Sequence, residues 1–450
     1  MGDRTGSTPT RGGLRKHLGA DALIAALHPC FEAVEDPSKG QPQISLHDVL
    51  MSAFAMFSLK DPSLLQFERR RMAEEHNLRS VYHVKNFPCD TQVRERLDEI
   101  HPDSVRSAYK AVFRSAQRGK VLEQMVFMEN YYLVSVDGTG YFSSTKLKSP
   151  ACLEKKCSKT GNTVYHLQAL GAAMVHPDCK EVIPLPPEFI CKQDGQTKND
   201  CERNASRRWL QKFRKDHPHL KVIITEDALS PNAPHIRDLK ASGCHFILGF
   251  KDDDHKYLSR CLDEAVANGQ TVEHAVMDPQ KEAVGHFFRF ANGLPLNESN
   301  KEVLVNVLEY WQDQDKGTKT FSWVTDFTLS KDNAYQIMRG GRARWKVENE
   351  TFNTLKNQGY HLEHNYGLGE KYLSMVFFSL MMLAFLVDQL QQISCPLFRE
   401  LRKKTGTKRD LWEKIRATFH IFLVDSMETI YRILLAGPQK IRPVFINDTS

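Results

Sequence analysis

Residues 131–137 read YYLVSVD, and residues 220–227 read LKVIITED. Each is a short, nearly unbroken apolar run that closes on an acid. Runs without polar alternation mark strands buried on both faces, as in a parallel sheet covered by helices. In open α/β sheets, ligands bind beyond the carboxyl ends of the strands. If the two strands are parallel neighbours, Asp137 and Asp227 meet at that end. An aspartate after a strand is ordinarily a turn or helix cap, so the pair gains meaning only with a third acid.

Working outward from these runs, residues 164–175 (VYHLQALGAAMV) and the proline-interrupted stretch 181–190 read as further strands. Residues 200–216 read as a helix. Strands, helix, strand is the texture of a mixed α/β domain. From 244 to 328 the signals are strand-like again (CHFILGF, TVEHAV, GHFFRF, VLVNVLEYW, TFSWVTDF), with no strong helix between them. This predicts a β-rich insertion. Helical character returns at Ser330 and continues to the C-terminus. The run Met375–Val387 is too short for the ~20 residues that span a bilayer and reads as a buried core helix. No internal repeat is visible.

The N-terminal 18 residues are rich in Gly, Thr and Arg, a composition that favours disorder. From there to about residue 125 the pattern is helical. Ser45–Asp48 resembles a capping box ahead of the stripe Leu46, Val49, Leu50, Ala53, Phe54, Phe57. Asp90 or Thr91 is placed to cap a helix bearing Arg94 and Arg96, which suits either DNA contact or a plain helical bundle.

The chain has 450 residues, 41% hydrophobic and 26% charged, which fits a globular protein of two or three domains. Its net charge is +6, from 61 basic and 55 acidic residues. The excess is local: Arg399–Arg416, which includes Lys403 and Lys404, holds eight Lys/Arg against three Asp/Glu. That stretch is either a solvated face or a phosphate-contacting patch. Ten unevenly spaced cysteines and no signal peptide point to a reducing compartment. Cys152 and Cys157 alone, or His361 and His364 alone, are thin grounds for zinc. Asp252–Asp254 read as a turn.

The third acid lies in RWKVENETFNTLK, residues 344–356. On a helix, Arg344 falls about 40° to one side of Glu348 and Lys356 about 80° to the other. Trp345, Val347, Phe352 and Leu355 read as apolar packing. Three carboxylates make a hard oxygen site for Mg²⁺. Two such ions ~4 Å apart activate water and stabilise the leaving oxygen of a phosphodiester. The flanking cations would grip phosphates, Arg as a fork and Lys as a point charge. The plain alternative is an exposed helix with charge pairs.

VSVDGTGYF, ITEDAL and RWKVENETFNTLK…GYHLEHNYG resemble the three acidic blocks of bacterial insertion-sequence DDE transposases, of the cut-and-paste branch with a β-rich insertion. The likeness spans about residues 125–390, and DGQTKNDCERNASRRWL (194–210) is also similar to that family. It implies an α/β fold with an RNase-H-like catalytic core and a β-rich insertion, flanked by helical N-terminal and C-terminal regions. The parts are a tail at 1–18, a helical DNA-binding domain at 19–125 and the first part of the core at 126–243. The insertion follows at 244–328, then the last part of the core at 329–390 and a helical region at 391–450.

The resemblance further implies a catalytic and metal-binding triad of Asp137, Asp227 and Glu348 with two Mg²⁺ ions, for which Mn²⁺ can substitute. The activity implied is cleavage of transposon ends and joining of the 3′ ends to target DNA. A homodimer on DNA and a bacterial, cytoplasmic, nucleoid-associated setting go with it. The family's Tyr-Arg-Glu-Lys signature matches at Arg344 and Glu348. Its Tyr falls on Gly341, with Tyr335 the nearest upstream, and its Lys falls on Leu355, one before Lys356. A flipped base could stack on Trp323, with Trp311 as competitor, for ~1–3 kcal/mol. The remaining DNA contacts implied are Arg344, Lys356, Arg94, Arg96, Lys403 and Lys404. The alternatives are an RNase-H-like endonuclease without strand transfer and a non-catalytic, transposase-derived DNA-binding protein. Residues Trp412–Leu435 are a candidate dimer interface.

Overall fold

The computed structural model describes residues 16–40, 42–158, 161–192, 201–278, 281–314 and 317–437. Most of the N-terminal tail and residues 194–200 of the stretch 194–210 lie outside them. Among the described residues, eleven strands form one sheet. They are β1 (Val126–Phe127), β2 (Tyr131–Ser144), β3 (Leu153–Lys156), β4 (Thr163–His176), β5 (Cys179–Ile190) and β6 (Val222–Glu226). The rest are β7 (His245–Phe250), β8 (Val272–Asp278), β9 (Lys281–Asn297), β10 (Asn300–Gln314) and β11 (Gly317–Thr325).

The order across the sheet is β3-β4-β2-β6-β7-β11-β10-β9-β8, with β1 on β2 and β5 on β4. On one side of β2 the neighbour β4 is antiparallel; on the other, β6 is parallel, and β7 is parallel to β6. Val222, Ile223 and Ile224 of β6 and Leu133 and Val134 of β2 are fully buried, as their unbroken apolar runs predict. Strand β5 tolerates Pro184, Pro186 and Pro187 because β4 is its one sheet partner, so missing N–H groups leave no second ladder short.

Two sequence expectations need correction here. Strand β2 does not end at Asp137: it runs seven residues further, pairing with β4 through Ser144 across an irregularity at Gly140/Phe142. What ends is its pairing with β6, at Ser135↔Thr225. And residues 244–328 do contain a helix, Lys256–Ala267, whose Leu258, Leu262 and Ala265 are buried at i, i+4, i+7 spacing beneath β9.

The helix Leu46–Ser58 starts where its sequence signal places it, with Ser45 Oγ accepting from Asp48 N at 3.1 Å. The helix Asp90–Asp98 is capped instead by Cys89, in a box with Gln92. Helix Leu373–Ser394 is apolar and long enough to cross a membrane by composition alone, yet it is buried within the fold against β5 and Leu46–Ser58. At its polar spot, Asp388 meets the ammonium of Lys60 at 2.6 Å and the hydroxyl of Tyr360 at 2.7 Å. The Lys60 ammonium also lies 4.0 Å from the centre of the Trp412 ring. One buried ion pair thus ties the N-terminal helices to the C-terminal ones.

Candidate active site

The parallel pairing of β2 and β6 fixes where two of the acids sit. Ser135 and Thr225 are opposite each other; Asp137 lies two residues further along β2 on the Ser135 face, and Asp227 lies in the turn just past the end of β6. The third acid arrives on the segment Ala334–Asn357, which lies on that face: Ser135 Oγ donates to Arg344 O at 2.8 Å. Its approach is close because Gly171, register partner of Asp137, carries no side chain. A Cβ there would fall 2.6 Å from the Phe352 ring.

The segment is not one regular helix. Ala334–Ala343 is α-helical, Val347–Phe352 is a π-helical turn, and Asn353–Asn357 is α-helical again. Glu348 sits inside the π turn, a feature often found at functional sites. The break shifts the side-chain register assumed from sequence. Lys356 pairs with Glu363 at 3.1 Å rather than flanking Glu348.

Arg344 does flank Glu348, and it joins two of the acids. Its Nη1 donates to Glu348 Oε1 at 2.6 Å and lies 3.4 Å from Asp137 Oδ2. Asp137 and Glu348 are close enough that, were one protonated, it would bond to the other. Burial, then that bond, then the Glu348 charge push the Asp137 carboxyl up to about 7, against Arg344 and the Gly138 N–H. Burial works to raise Glu348 too, but the bonds from Arg344 and Asp137 outweigh it and hold Glu348 below its usual value. Asp137 therefore tends to keep its proton toward neutrality beside an ionised Glu348.

Asp227 Oδ1 accepts from its own turn, Leu229 N at 3.0 Å and Ser230 Oγ at 3.4 Å. Asp227, Glu348 and Arg344 line one cavity of about 860 Å³. Asp252 and Asp253, read from sequence as a turn, line it too. Among the described residues, no three His, Cys, Asp or Glu side chains are gathered closely enough to hold a metal ion as they stand.

The sequence reading missed two residues. Glu202, at the start of helix Glu202–Asp216, has its carboxylate over the backbone at Gly138, where a Cβ would lie 2.2 Å from Oε1. Burial, then Asp227 and Glu226, push its carboxyl upward. No spacing in the sequence marks it, because the fold alone brings it to that edge. Trp345, expected to pack inward, is 51% exposed in the cavity, with its edge toward Phe321 at 6.0 Å. The break in the helix after Ala343 turns it outward.

Trp323, expected to stack a flipped base, lines the same cavity but is largely covered. Trp323 is 5% exposed, stacked on Phe321 at 5.9 Å and pressed against Gly341. Gly341 stands where the resembled family carries Tyr; a Cβ there would lie 2.3 Å from Trp323 Nε1, so a larger residue requires the indole to shift. Trp311 stacks on Phe287 at 6.5 Å. The other expected DNA contacts are spread over the molecule. Arg96 donates to Ile44 O and pairs with Asp36, and Arg94 lies 3.6 Å from Asp90. Lys403 is exposed, and Lys404 donates to Leu435 O at 2.7 Å.

Fold and site together define a mixed α/β protein with a large mixed sheet, many helices, and a carboxylate-lined cavity where two parallel strands end their pairing. No family model matches the chain, and no curated protein matches it. Among solved structures it is similar to the chain in a cryo-EM structure of a piggyBac transposase synaptic complex with hairpin DNA. The TM-score is 0.35 at 10% identity, covering 90% of this chain and 84% of that one. A likeness at that score carries no weight for function, which rests on the site.

Proposed function

We propose that the protein is a DNA transposase of the DDE type, cutting transposon ends at the cavity that holds Asp227 and Glu348, with Asp137 beside it. The observation that carries this reading is the Arg344 bridge: a buried-strand aspartate and a helix glutamate, 211 residues apart in sequence, share one cation beside the level of Asp227. Like-charged carboxylates drawn together this way call for positive charge. The RNase-H-like reading of the core is supported by β2, β4 and β5 running antiparallel side by side, with β6 and β7 added parallel to β2 on its other side.

The donor set is carboxylate oxygen, which suits Mg²⁺ or Mn²⁺. Asp137, Glu348 and Asp227 are the residues that would hold it. Bound there, the metal would supply a lowered water pKa and charge stabilisation at a phosphodiester. Arg344, beside the acids, would hold a phosphate as a fork. Trp345 offers an exposed ring face to an unstacked base. Terminal repeats of a mobile element as substrate, joining of 3′ ends to target DNA, and a dimer on DNA complete the proposal.

The test is incubation with candidate end DNA and Mg²⁺, mapping cuts on each strand. Asp137→Ala is expected to abolish cleavage and leave end binding intact; full cleavage by that variant rejects the proposal. A second reading, a non-catalytic DNA-binding descendant, is favoured by Arg344 filling the acid pair. Binding of end DNA with no Mg²⁺-dependent nicking would select it. Cleavage without joining of pre-cut ends would select a plain endonuclease.

A further inference from the structure

Helix Arg106–Arg118 carries Arg106, Lys110, Arg114 and Arg118, each four residues after the last. That spacing stacks four cations along one face, with roughly 40° of drift per step. The other face is spent on the core: Ala108, Tyr109, Val112, Phe113 and Ala116 are buried. Like charges at i, i+4 repel and destabilise a helix, so the row is unfavourable for the isolated helix.

The compensation is one-sided. Asp216 accepts from Arg106 at 2.6 Å and lies 3.5 Å from Lys110. Asp103 lies 3.9 Å from Arg106 but is engaged more closely by Lys212, at 2.7 Å. Arg114 is exposed, as is Arg118, and neither has an ion-pair partner among the described residues. Lys110 and Arg114 form one wall of a cavity of about 280 Å³, with Phe113 beside them and His217 and His219 opposite. Asp216 lines the cavity as well, so the cations there are partly balanced and those further along the helix are not. Burial chiefly, with Lys110, Arg106 and Arg214 pushing the same way against Asp216, takes the His217 imidazole down to about 4.

We infer that this helix face, with the cavity at His217 and His219, is a contact track for the phosphate backbone of a nucleic acid strand. A lone anion is held by charges that converge on a point. Here Arg106 is taken up by Asp216, and the charges from Lys110 to Arg118 run in a row about 12 Å long, which suits a row of phosphates. The inference rests on the DNA-cutting proposal only for the identity of the polyanion. It places a DNA contact on a helix that none of the sequence-based contact residues occupies.

The experiment uses the full chain and a fluorescent duplex of arbitrary sequence, with anisotropy followed over salt concentration. Each phosphate contact contributes about 0.9 to the slope of log K against log salt. Lys110→Gln with Arg114→Gln should lower the slope by about 1.8, so that between 50 and 200 mM salt the variant loses about 12-fold less affinity than the parent. An unchanged slope, with circular dichroism showing an intact fold, overturns the track. Competition by millimolar inorganic phosphate at constant ionic strength, with the slope unmoved by the double substitution, also overturns it in favour of a single-anion pocket. If the slope falls as expected while Mg²⁺ gives no cleavage, the track stands and the transposase proposal falls. If cleavage persists with an unchanged slope, the reverse holds.

Discussion

Replacing Asp137 with Asn should make the metal-free protein more stable at neutral pH. In the folded chain the Asp137 carboxyl keeps its proton up to about pH 7, against a reference value of 3.8. Between those values the folded state binds more protons than the unfolded state, so stability falls as pH rises through that window. Asn cannot ionise and escapes the loss. Across that window the loss accumulates to ~4 kcal/mol, at about 1.36 kcal/mol per pH unit. Because Glu348 interacts with Asp137 and is shifted the opposite way, ~2–4 kcal/mol is the expected net gain for the variant above pH 7. The gain should shrink to nothing near pH 4. At this chain length it amounts to a Tm about 2–5 °C higher at pH 8. Thermal melts of both proteins from pH 4 to pH 8 in chelator supply the comparison. Mg²⁺ should then raise the Tm of the parent more than that of the variant. A variant less stable than the parent at pH 8, or a difference independent of pH, would refute the claim that the two acids are forced together.

Two further outcomes are expected. Lys60→Met strands Asp388 in the core and should cost about 3–5 kcal/mol, while adding Asp388→Leu should recover most of the loss; chemical denaturation of the three proteins checks this. Gly341→Ala drives a methyl into Trp323 and should cost about 1–3 kcal/mol, with a change in tryptophan emission; unaltered melting and emission would show that the indole is not held as described.

The strands at 131–137 and 220–227 were legible because burial on both faces leaves no polar alternation, and an uninterrupted apolar run is hard to mistake. The continuation of β2 was not, because Gly138, Thr139 and Gly140 read as a turn unless β4 is known to lie alongside. Helix Lys256–Ala267 was hidden by its shortness: three buried residues in twelve leave a weak stripe. At the site, the acids of β2 and β6 could be found from position in the strands. Glu348 needed its neighbour Arg344 to stand out. The break at residues 344–352 was invisible, since nothing in the propensities of VENETF distinguishes a π turn from an α turn. It is that break which points Trp345 outward and takes Lys356 to Glu363. Trp323 and Trp345 carry the same side chain; only the sheet and Gly341 decide which is covered.

Strand β11 meets β7 at four consecutive rungs, Ser322 to Thr325. The hairpins that follow residue 272 are therefore not a flap hung from the core but an outrigger, braced through β7 to β6, the strand that Asp227 follows. A load on the far edge would exert torque through β7 on β6, and so on the turn that bears that carboxylate.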